Sequence, residues 1–273
     1  MNKSVLAIHD LSGIGNTSLM TIIPLMYRFG IRVCALPTAL LSANTCFKGY
    51  KILDTTEFIE ESINHYQELG LKFSAVYSGF LGNPGQVDTV LRAISSLADD
   101  DALIVIDPVM ADGGKLYDCY DSSMVDAMRR LVATADMICP NYTEGCLLVD
   151  MDPLAPASEQ TLIDLCAKLH QLGPDEITLT SVSVHGTGCD TLYSSKQGDF
   201  EIFPCEYIPC YYTGTGDIFS ALMVANSLAG VPLKSAIPKV VSFITSAIKL
   251  SQKRNQGSAW GVALEEIIST YEL

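Results

Sequence analysis

Residues 213–217 read Thr-Gly-Thr-Gly-Asp and lead into the run Ile-Phe-Ser-Ala-Leu-Met-Val-Ala-Asn-Ser-Leu at residues 218–228. The run predicts a helix that ends at Gly230, and the two glycines place a turn at its N-terminus. Backbone N–H groups at such a turn can surround an anion, and the helix dipole adds to their attraction. In open α/β sheets, ligands bind in loops of this kind, beyond a strand and ahead of a helix.

The segments before this turn alternate between short apolar runs and helix-like stretches. We predict strands over six of these runs: Val5–Ile8, Ile31–Leu36, Ala75–Ser78, Leu103–Ile106, Met137–Ile138 and Ile177–Thr180. The alternation indicates an α/β fold in which helices cover both faces of a mostly parallel sheet. We expect one domain over residues 1–273, because α/β chains of this length commonly form a single core.

Glycine and proline residues mark two of the helices and one hairpin. Thr56–Leu69 ends at a glycine and Gln86–Ala98 follows an Asn-Pro-Gly turn, so both segments predict helices. Further on, Thr191–Ser194 and Glu201–Phe203 flank Lys-Gln-Gly-Asp at residues 196–199. This pattern predicts a small antiparallel hairpin beside the parallel strands.

The charge balance limits the classes of partner. Asp and Glu number 31 against 17 Lys and Arg, a formal net charge of −14, which argues against nucleic acid and anionic membranes. Any polyanion would have to be held locally, by backbone N–H groups, a helix N-terminus and a divalent metal. The first residues lack a signal-peptide core and no stretch is long enough to span a bilayer, so we expect a cytoplasmic protein. The nine cysteines form no CxxC pair and are interpreted as buried thiols.

Asp217 follows the glycine turn directly and is the first candidate for chemistry. A carboxylate beside an anion pocket suits phosphoryl transfer to an alcohol, because it can accept the hydroxyl proton while nearby amides stabilise the transferring group. The amides would be those of Gly214, Thr215 and Gly216. The same four residues also fit a plain glycine turn in which Asp217 caps the helix. Both interpretations stay open at this point.

Two other loops carry acidic residues where a predicted strand ends. Asp107 follows Leu103–Ile106 and could orient metal-bound water or phosphate, while the glycines after it would let a flap close over ATP. Asn141 and Glu144 lie at the start of a predicted helix. They could hold hydrated Mg²⁺, although a capping box explains the same pair of residues.

Several familiar sites are missing from the sequence. The loop Asp10–Thr17 begins like a dinucleotide fingerprint, but Ser18 stands where the third glycine belongs and no acid ends the next strand. The phosphate-binding motif GxxxxGK[ST] does not occur. The Gly-Thr-Gly of residues 186–188, after His185, predicts a turn, with a lid over nucleotide as the alternative. The four histidines show no metal-ligand spacing and are interpreted as structural or surface residues.

Taken in order, these loops resemble the motifs of the ribokinase superfamily, and most closely those of the pyridoxal kinases. The resemblance spans nearly the whole chain and rests on Asp107-Pro108-Val109, Pro140-Asn141-x-x-Glu144 and Gly214-Thr215-Gly216-Asp217. It implies a ribokinase-like three-layer sandwich, a homodimer, and ATP- and Mg²⁺-dependent phosphorylation of a hydroxymethyl group on a pyridine or pyrimidine ring. For pyridoxal kinases the acceptor is the 5′-hydroxymethyl group of pyridoxal, pyridoxine or pyridoxamine, in vitamin B6 salvage.

The resemblance also implies roles for individual residues. Asp217 matches the catalytic base, and the anion hole matches Gly214, Thr215 and Gly216. Residues that hold the phosphates and Mg²⁺ match Asp107, Asn141 and Glu144, with Asp107 and Glu144 as the metal-binding carboxylates. Looser nucleotide contacts match Asp112, Thr180 and Ser181, and potassium sometimes aids the nucleotide site in this family. Residues implied to contact the vitamin are Asp10, Ser12, Ala39, Thr45 and Phe80.

Some of these positions depart from the pyridoxal kinase pattern. Phe80 replaces an aromatic residue that is commonly Tyr, and Asp10 falls where larger pyridoxal kinases usually carry Ser. The stretch Asp10-x-Ser12-Gly13 looks more like hydroxymethylpyrimidine kinases, which usually carry Cys in place of Asp217. A hydroxymethylpyrimidine (phosphate) kinase of thiamine synthesis is therefore the alternative within the superfamily. A non-catalytic ligand-binding module of the same fold is the alternative from another class.

Overall fold

The computed structural model describes residues 3–184 and 189–273 of the chain. Its strands are β1 Ser4–Ser12, β2 Arg32–Leu41, β3 Ile52–Asp54, β4 Phe73–Ser78, β5 Ala98–Ile106, β6 Ala111–Asp112, β7 Lys115–Leu116, β8 Met137–Ile138, β9 Glu176–Val182, β10 Asp190–Ser195 and β11 Phe200–Phe203. Its α-helices are α1 Ser18–Arg28, α2 Thr56–Glu68, α3 Gln86–Leu97, α4 Ser122–Val132, α5 Tyr142–Leu148, α6 Glu159–Leu172, α7 Thr215–Ala229, α8 Leu233–Lys253 and α9 Leu264–Ile267. Residues 185–188, for which we predict a turn, lie outside the described residues.

Within the described residues, one sheet has the strand order β11-β10-β9-β8-β5-β4-β1-β2-β3. Its six central strands, β9 to β2 in this order, pair in parallel, while β3 at one edge and β10 and β11 at the other are antiparallel. The predicted hairpin is confirmed as β10 and β11. The carboxyl ends of the parallel strands meet at one edge of the sheet, so the loops that leave them can form one site.

Helices cover both faces of this sheet. Side chains of a strand alternate between its faces, and in β1 Leu6 and Ile8 pack with α2 to α6 while Val5 and Ala7 pack with α1, α7, α8 and α9. These two apolar layers explain why the parallel strands are apolar throughout. The predicted three-layer α/β sandwich is confirmed. No helix in the described part of the chain is long and apolar enough to cross a membrane.

Three features of the fold were not expected from the sequence. The edge strand Ile52–Asp54 was missed, and so was the two-stranded sheet β6–β7, whose strands are only two residues long. β1 extends through Ser12, so Asp10 and Ser12 lie on a strand and not in the loop that we predict from Asp10. Short strands carry too few residues to show the alternation from which strands are recognised.

Candidate active site

The loops at the carboxyl ends of the parallel strands surround one cleft of about 1000 Å³. All the residues that the sequence suggested for catalysis, nucleotide, metal and vitamin line this cleft except Ala39. Ala39 is fully buried in β2, where it pairs with Asp54 of β3, and does not reach the cleft. A contact between Ala39 and the vitamin is therefore not among those that this geometry supports, because β2 continues through this position.

The N-terminus of α7 lies in this cleft and begins at Gly214. Gly214 has φ +81°, and a side chain at this position would collide with the carbonyl oxygen of Asn16, so only glycine fits here. Gly216 has no such constraint: a Cβ would meet no protein atom within 4 Å, and its φ is not in the left-handed region. The turn therefore needs Gly214 for its own conformation, whereas the absence of a side chain at Gly216 leaves open space beside the helix N-terminus.

Asp217 lies in the first turn of α7 but does not cap this helix. The N-cap residue is Gly214, and no side chain makes the capping hydrogen bond. Asp217 reaches instead towards the ends of β1 and α1, where its Oδ2 accepts a hydrogen bond of 2.7 Å from the backbone N–H of Ser18. Ser18 has φ +55°, a conformation that non-glycine residues rarely adopt. The local backbone is thus arranged around the Asp217 carboxylate.

His9 makes the second contact of Asp217. Its Nε2 lies 3.2 Å from Asp217 Oδ1, and its Nδ1 lies 2.9 Å from Oδ1 of Asp10. Burial alone would lower the pKa of His9, but the nearby carboxylates of Asp10 and Asp217, which attract the imidazolium and can accept its protons, outweigh it and raise this pKa to about 10. Burial would raise the pKa of Asp217, yet the contacts with His9 and the Ser18 amide hold it below its usual value.

Asp107 and Glu144 are buried on another side of the cleft. Asp107 follows β5, is 5% exposed, and accepts a hydrogen bond of 2.6 Å from Ser220 Oγ on α7. Glu144 is 3% exposed, and its Oε1 accepts hydrogen bonds from the N–H groups of Met110 (3.0 Å) and Ala111 (3.4 Å). Glu144 thereby ties the loop after β5 to the start of α5.

The capping box suggested by Asn141 and Glu144 is present. Asn141 Oδ1 accepts from the Glu144 N–H at 2.9 Å, and Glu144 Oε2 accepts from the Asn141 N–H at 2.9 Å. Asn141 Nδ2 also donates to the carbonyl oxygen of Ala111 at 2.8 Å. Capping does not exclude a ligand, because each carboxylate oxygen has a further lone pair.

Asp107 and Glu144 are two neighbouring carboxyl groups whose negative charge a hydrated divalent cation could balance. Burial raises the pKa of both carboxyl groups, and their mutual repulsion raises that of Glu144 further. No group of three or more His, Cys, Asp or Glu residues suited to a metal occurs in the part of the chain that the structure describes. Mg²⁺ commonly keeps several waters and takes one or two protein carboxylates together with substrate phosphates. Asp107 and Glu144 therefore suit Mg²⁺ bound with a nucleotide and do not form a complete cage.

A flap formed by β6 and β7 overhangs this side of the cleft. Its Gly114 N–H donates to Thr143 Oγ1 at 3.0 Å, which attaches the flap tip to α5. Asp112 and Lys115 face each other across the two strands and both are exposed. Among the described residues that line the cleft, Lys115 is the only Lys or Arg. No motif in the sequence points to a role for Lys115.

The remaining candidates lie elsewhere in the cleft. Thr180 and Ser181 are near the end of β9, where Thr180 bridges to Asn141. Thr45 is exposed in the loop after β2, and the Phe80 ring lies 5.8 Å from that of Tyr120. Ser12 and Asp10 are buried and hydrogen-bonded to each other, with Ser12 Oγ donating to Asp10 Oδ2 at 3.1 Å. The half-buried side chains that form an apolar wall from α8 are Val241, Ile244 and Ile248.

Comparison with known proteins identifies the family of this chain. The model of the phosphomethylpyrimidine kinase family matches residues 25–261. This chain belongs to that family. The resemblance to the ribokinase superfamily, and to pyridoxal kinases within it, is confirmed by the matches that follow.

Three proteins similar to this chain bear on its function. A Bacteroides thetaiotaomicron protein assigned as a phosphomethylpyrimidine kinase, and crystallised with pyridoxal, is 34% identical, with a TM-score of 0.93 over 99% of this chain and 96% of that one. Pyridoxal kinase PdxY of Paraburkholderia xenovorans is 26% identical over 266 residues, which cover 91% of this chain and 88% of PdxY. Pyridoxal kinase of Leishmania donovani, solved with ADP and pyridoxamine, is 25% identical, with a TM-score of 0.82 over 97% and 94% of the two chains.

Three features of the cleft were not predicted from the sequence: His9, Lys115 and the apolar wall of α8. His9 was interpreted as a structural or surface residue because the four histidines show no metal-ligand spacing. Its neighbour Asp10 was a usable signal, since a strand that ends in adjacent basic and acidic side chains beside a glycine-rich loop places them near the cleft.

Proposed function

We propose that this protein transfers the γ-phosphoryl group of ATP to the 5′-hydroxymethyl group of pyridoxal, pyridoxine or pyridoxamine. The observation that carries the proposal is the position of Asp217. This carboxylate does not cap α7, lies beside the open helix N-terminus at Gly216, and shares one cleft with Asp107 and Glu144. A base, an anion hole and metal-binding carboxylates are the parts that phosphoryl transfer to an alcohol requires.

Each part has a role in the transfer. Asp217 accepts the proton of the substrate hydroxyl as the hydroxyl oxygen forms a bond to the γ-phosphorus, while the bond from that phosphorus to the β,γ-bridging oxygen breaks and ADP leaves. The amides of Gly214, Thr215 and Gly216, at the positive end of the α7 dipole, stabilise the negative charge of the phosphoryl group. Asp107 and Glu144 would hold Mg²⁺, which would supply positive charge to the phosphates. The lowered pKa of Asp217 means that this group is a carboxylate at neutral pH and ready to accept a proton.

The nucleotide lies between the flap and α8. The Leishmania relative was solved with ADP, which supports a nucleotide site in this fold. The apolar wall of Val241, Ile244 and Ile248 suits a purine ring, and Thr180 and Ser181 offer hydroxyl groups in the same cleft. Asp112 and Asn141 approach the phosphates from the flap and from α5. Potassium binding at the nucleotide site is part of this proposal.

The vitamin B6 substrates are preferred to a hydroxymethylpyrimidine for two reasons. The Bacteroides relative was crystallised with pyridoxal although it is assigned as a phosphomethylpyrimidine kinase. Hydroxymethylpyrimidine kinases usually carry Cys where this chain has Asp217. Phe80, Thr45 and Ser12 line the cleft and can contact the pyridine ring and its substituents. The pyrimidine alcohol remains the alternative substrate.

Three further features belong to the proposal. We propose that residues 1–273 act as one domain, that the protein forms a homodimer as its family usually does, and that it works in the cytoplasm. The exposed apolar side chains of the edge strand, Ile52 and Leu53, support an interface between two copies. A chain with nine cysteines and no CxxC pair suits a reducing compartment.

An ATP-consumption assay with four alcohols tests the proposal. Pyridoxal, pyridoxine, pyridoxamine and hydroxymethylpyrimidine are compared as kcat/KM ratios, with ribose as the control alcohol. We expect Mg²⁺-dependent ADP release with the three vitamers and little with ribose. A higher kcat/KM for hydroxymethylpyrimidine would transfer the assignment to the alternative substrate. Tight binding of vitamer without ADP release would favour the non-catalytic module.

A further inference from the structure

The end of β1 places an imidazole ring between two carboxylates. Adjacent side chains of a regular strand point to opposite faces, but the pairing of β1 with β2 shifts its register between His9 and Leu11. At this irregularity His9 Nδ1 lies 2.9 Å from Asp10 Oδ1, and His9 Nε2 lies 3.2 Å from Asp217 Oδ1. The ring therefore joins the strand to the first turn of α7.

The surroundings hold this ring in place. His9 is 1% exposed, and a Cβ at Gly79, after β4, would collide with the ring carbon Cδ2 and with Nε2. Asp10 is fixed by the 3.1 Å hydrogen bond from Ser12 Oγ. Gly79 thus leaves the space that the ring occupies, and the ring has little freedom to leave the two carboxylates.

We propose that His9 is a positioning residue for phosphoryl transfer: held by Asp10, its imidazolium keeps Asp217 ionised and oriented in the cleft. The inference rests on the proposed function, in which Asp217 is the base. Asp217 Oδ1 faces His9 and Oδ2 faces the Ser18 amide, and each oxygen keeps a lone pair for a substrate hydroxyl. His9 does not touch the substrate in this arrangement.

The charges around the ring support the imidazolium. Its titratable neighbours are Asp10 on β1, Asp217 on α7, and Tyr77 on β4, whose ring centroid is 6.3 Å away, while Asp107 acts on it through space. Burial raises the pKa of Tyr77 well above its usual value, so this phenol stays neutral. Nδ1 also lies 2.9 Å from the backbone nitrogen of Asp10, whose N–H could donate to Nδ1 only if Nδ1 carried no proton. In that case, however, the Nδ1 lone pair would also face the lone pairs of Asp10 Oδ1, which is unfavourable.

The sign of the expected pH effect follows from the contacts of Asp217. His9 lowers the pKa of Asp217, so removing the imidazolium leaves burial as the main influence and raises this pKa. Each unit by which it rises above the working pH lowers the ionised fraction about ten-fold. The loss of kcat is therefore greatest at low pH and is reversed as the pH increases.

The test compares kcat against pH for wild type, His9→Gln and His65→Gln. His65 is exposed on α2, so its variant is the matched control and should follow the wild-type profile. For His9→Gln we expect the acid limb of kcat to move to higher pH by about one unit or more, with KM for ATP nearly unchanged. A His9→Gln profile with the wild-type acid limb, in a protein that merely melts at lower temperature, would overturn the inference.

Asp217→Asn, assayed in parallel, separates this inference from the proposed function. If Asp217→Asn keeps its activity, the base assignment fails and the inference fails with it. If Asp217→Asn is inactive at every pH while His9→Gln matches wild type, only the inference about His9 fails. An Asp217→Asn variant that stays inactive while His9→Gln recovers at high pH supports both.

Two further measurements decide the question if His9→Gln does not fold. The imidazole ¹⁵N shifts of the wild-type protein report the protonation state directly, and we expect a buried imidazolium up to a pH of about 10. A buried histidine that is neutral at pH 7 would overturn the inference. Gly79→Ala should displace the ring and move the acid limb upward, whereas Gly82→Ala, whose Cβ meets only ordinary contacts, should not.

Discussion

Two pairs of carboxylates face the same cleft and differ in how their charge is compensated. Asp10 and Asp217 enclose His9, so this pair has a protein cation between its members. Asp107 and Glu144 form no ion pair with a Lys, Arg or His of the described residues, and burial raises the pKa of both. The first pair is complete within the protein, whereas the second has a charge that a ligand can balance.

Under the proposed function, this difference suits the two pairs to different steps. A base must be ionised before the substrate arrives, so a permanent cation beside Asp217 is useful. Metal-binding carboxylates do better without a permanent cation, because a fixed positive charge would compete with Mg²⁺ for them. The comparison predicts that substitutions in the first pair change kcat, and that substitutions in the second change the dependence on Mg²⁺ and ATP.

The largest effect is expected from Asp217→Asn. Loss of the base should lower kcat by a factor on the order of 10² to 10⁴, because an amide does not accept the hydroxyl proton. Affinity for ATP, measured by calorimetry, should change little. Thermal unfolding is the control, and some loss of stability is expected because His9 would keep only Asp10 as a charged partner.

A high residual rate would contradict this assignment. If Asp217→Asn retains more than about a third of the wild-type kcat, the group is not an essential base. The charge on the Asp10–Asp217 pair would then not matter for catalysis. Asp217 would be a structural residue that holds the start of α1 at Ser18 against α7.

Glu144→Gln is expected to have the next largest effect. Gln is accepted at this position of a capping box, so the helix start should survive while the carboxylate charge is lost. We expect activity to fall at low Mg²⁺ and to recover in part when Mg²⁺ is raised, as measured by kcat over a Mg²⁺ titration. Asn141→Ala should show the same trend more weakly.

Thr143→Val is the matched control for Glu144→Gln. Thr143 Oγ1 accepts the hydrogen bond from the flap at Gly114, so the variant loosens the flap without removing a charge. Its Mg²⁺ dependence should equal that of wild type. If Glu144→Gln also leaves the Mg²⁺ dependence unchanged and only lowers the melting temperature, Glu144 is an anchor of the flap and not a metal ligand.

The fold was largely predictable because its signals are local. Val5–Ile8 and Leu103–Ile106 are apolar on both faces, which is typical of buried parallel strands, and both lie within strands of the sheet. The helices predicted from residues 56 and 86 begin at those residues and end one residue earlier than expected. The edge strand at Ile52–Asp54 was missed because its three residues are exposed and are held by pairing with β2, which no local pattern reveals.

The candidate site was predictable where a motif has a fixed chain order, and less so where partners are distant. Gly214 and Asp217 were found from their spacing, but the contact of Asp217 with His9 joins residues far apart in the chain and depends on a register shift in β1. Gly216 also shows the limit of spacing: its φ is not left-handed and a Cβ would meet no protein atom, so the need for glycine there comes only from a ligand. Whether a glycine is needed for its own φ, as at Gly214, or for the space beside it, as at Gly216, can be read only from the backbone conformation.

The smallest effect is expected from Lys115→Met in the flap. Lys115 is the one Lys or Arg among the described cleft residues, in a chain whose net charge is −14. Its exposed side chain lies on β7, opposite Asp112, and we expect it to contact the triphosphate. Loss of one partly solvated charge contact should raise KM for ATP several-fold and leave kcat nearly unchanged, because an exposed ion pair contributes about 1 kcal/mol or less. Lys168→Met, at an exposed position on α6, is the control and should leave both constants unchanged.

If Lys115→Met instead lowers kcat as Asp217→Asn does, Lys115 acts on the transferring group itself, and the nucleotide side of the cleft would contain a protein cation that takes part in catalysis. If KM for ATP is unchanged, the phosphates are held by backbone amides and the metal without help from the flap.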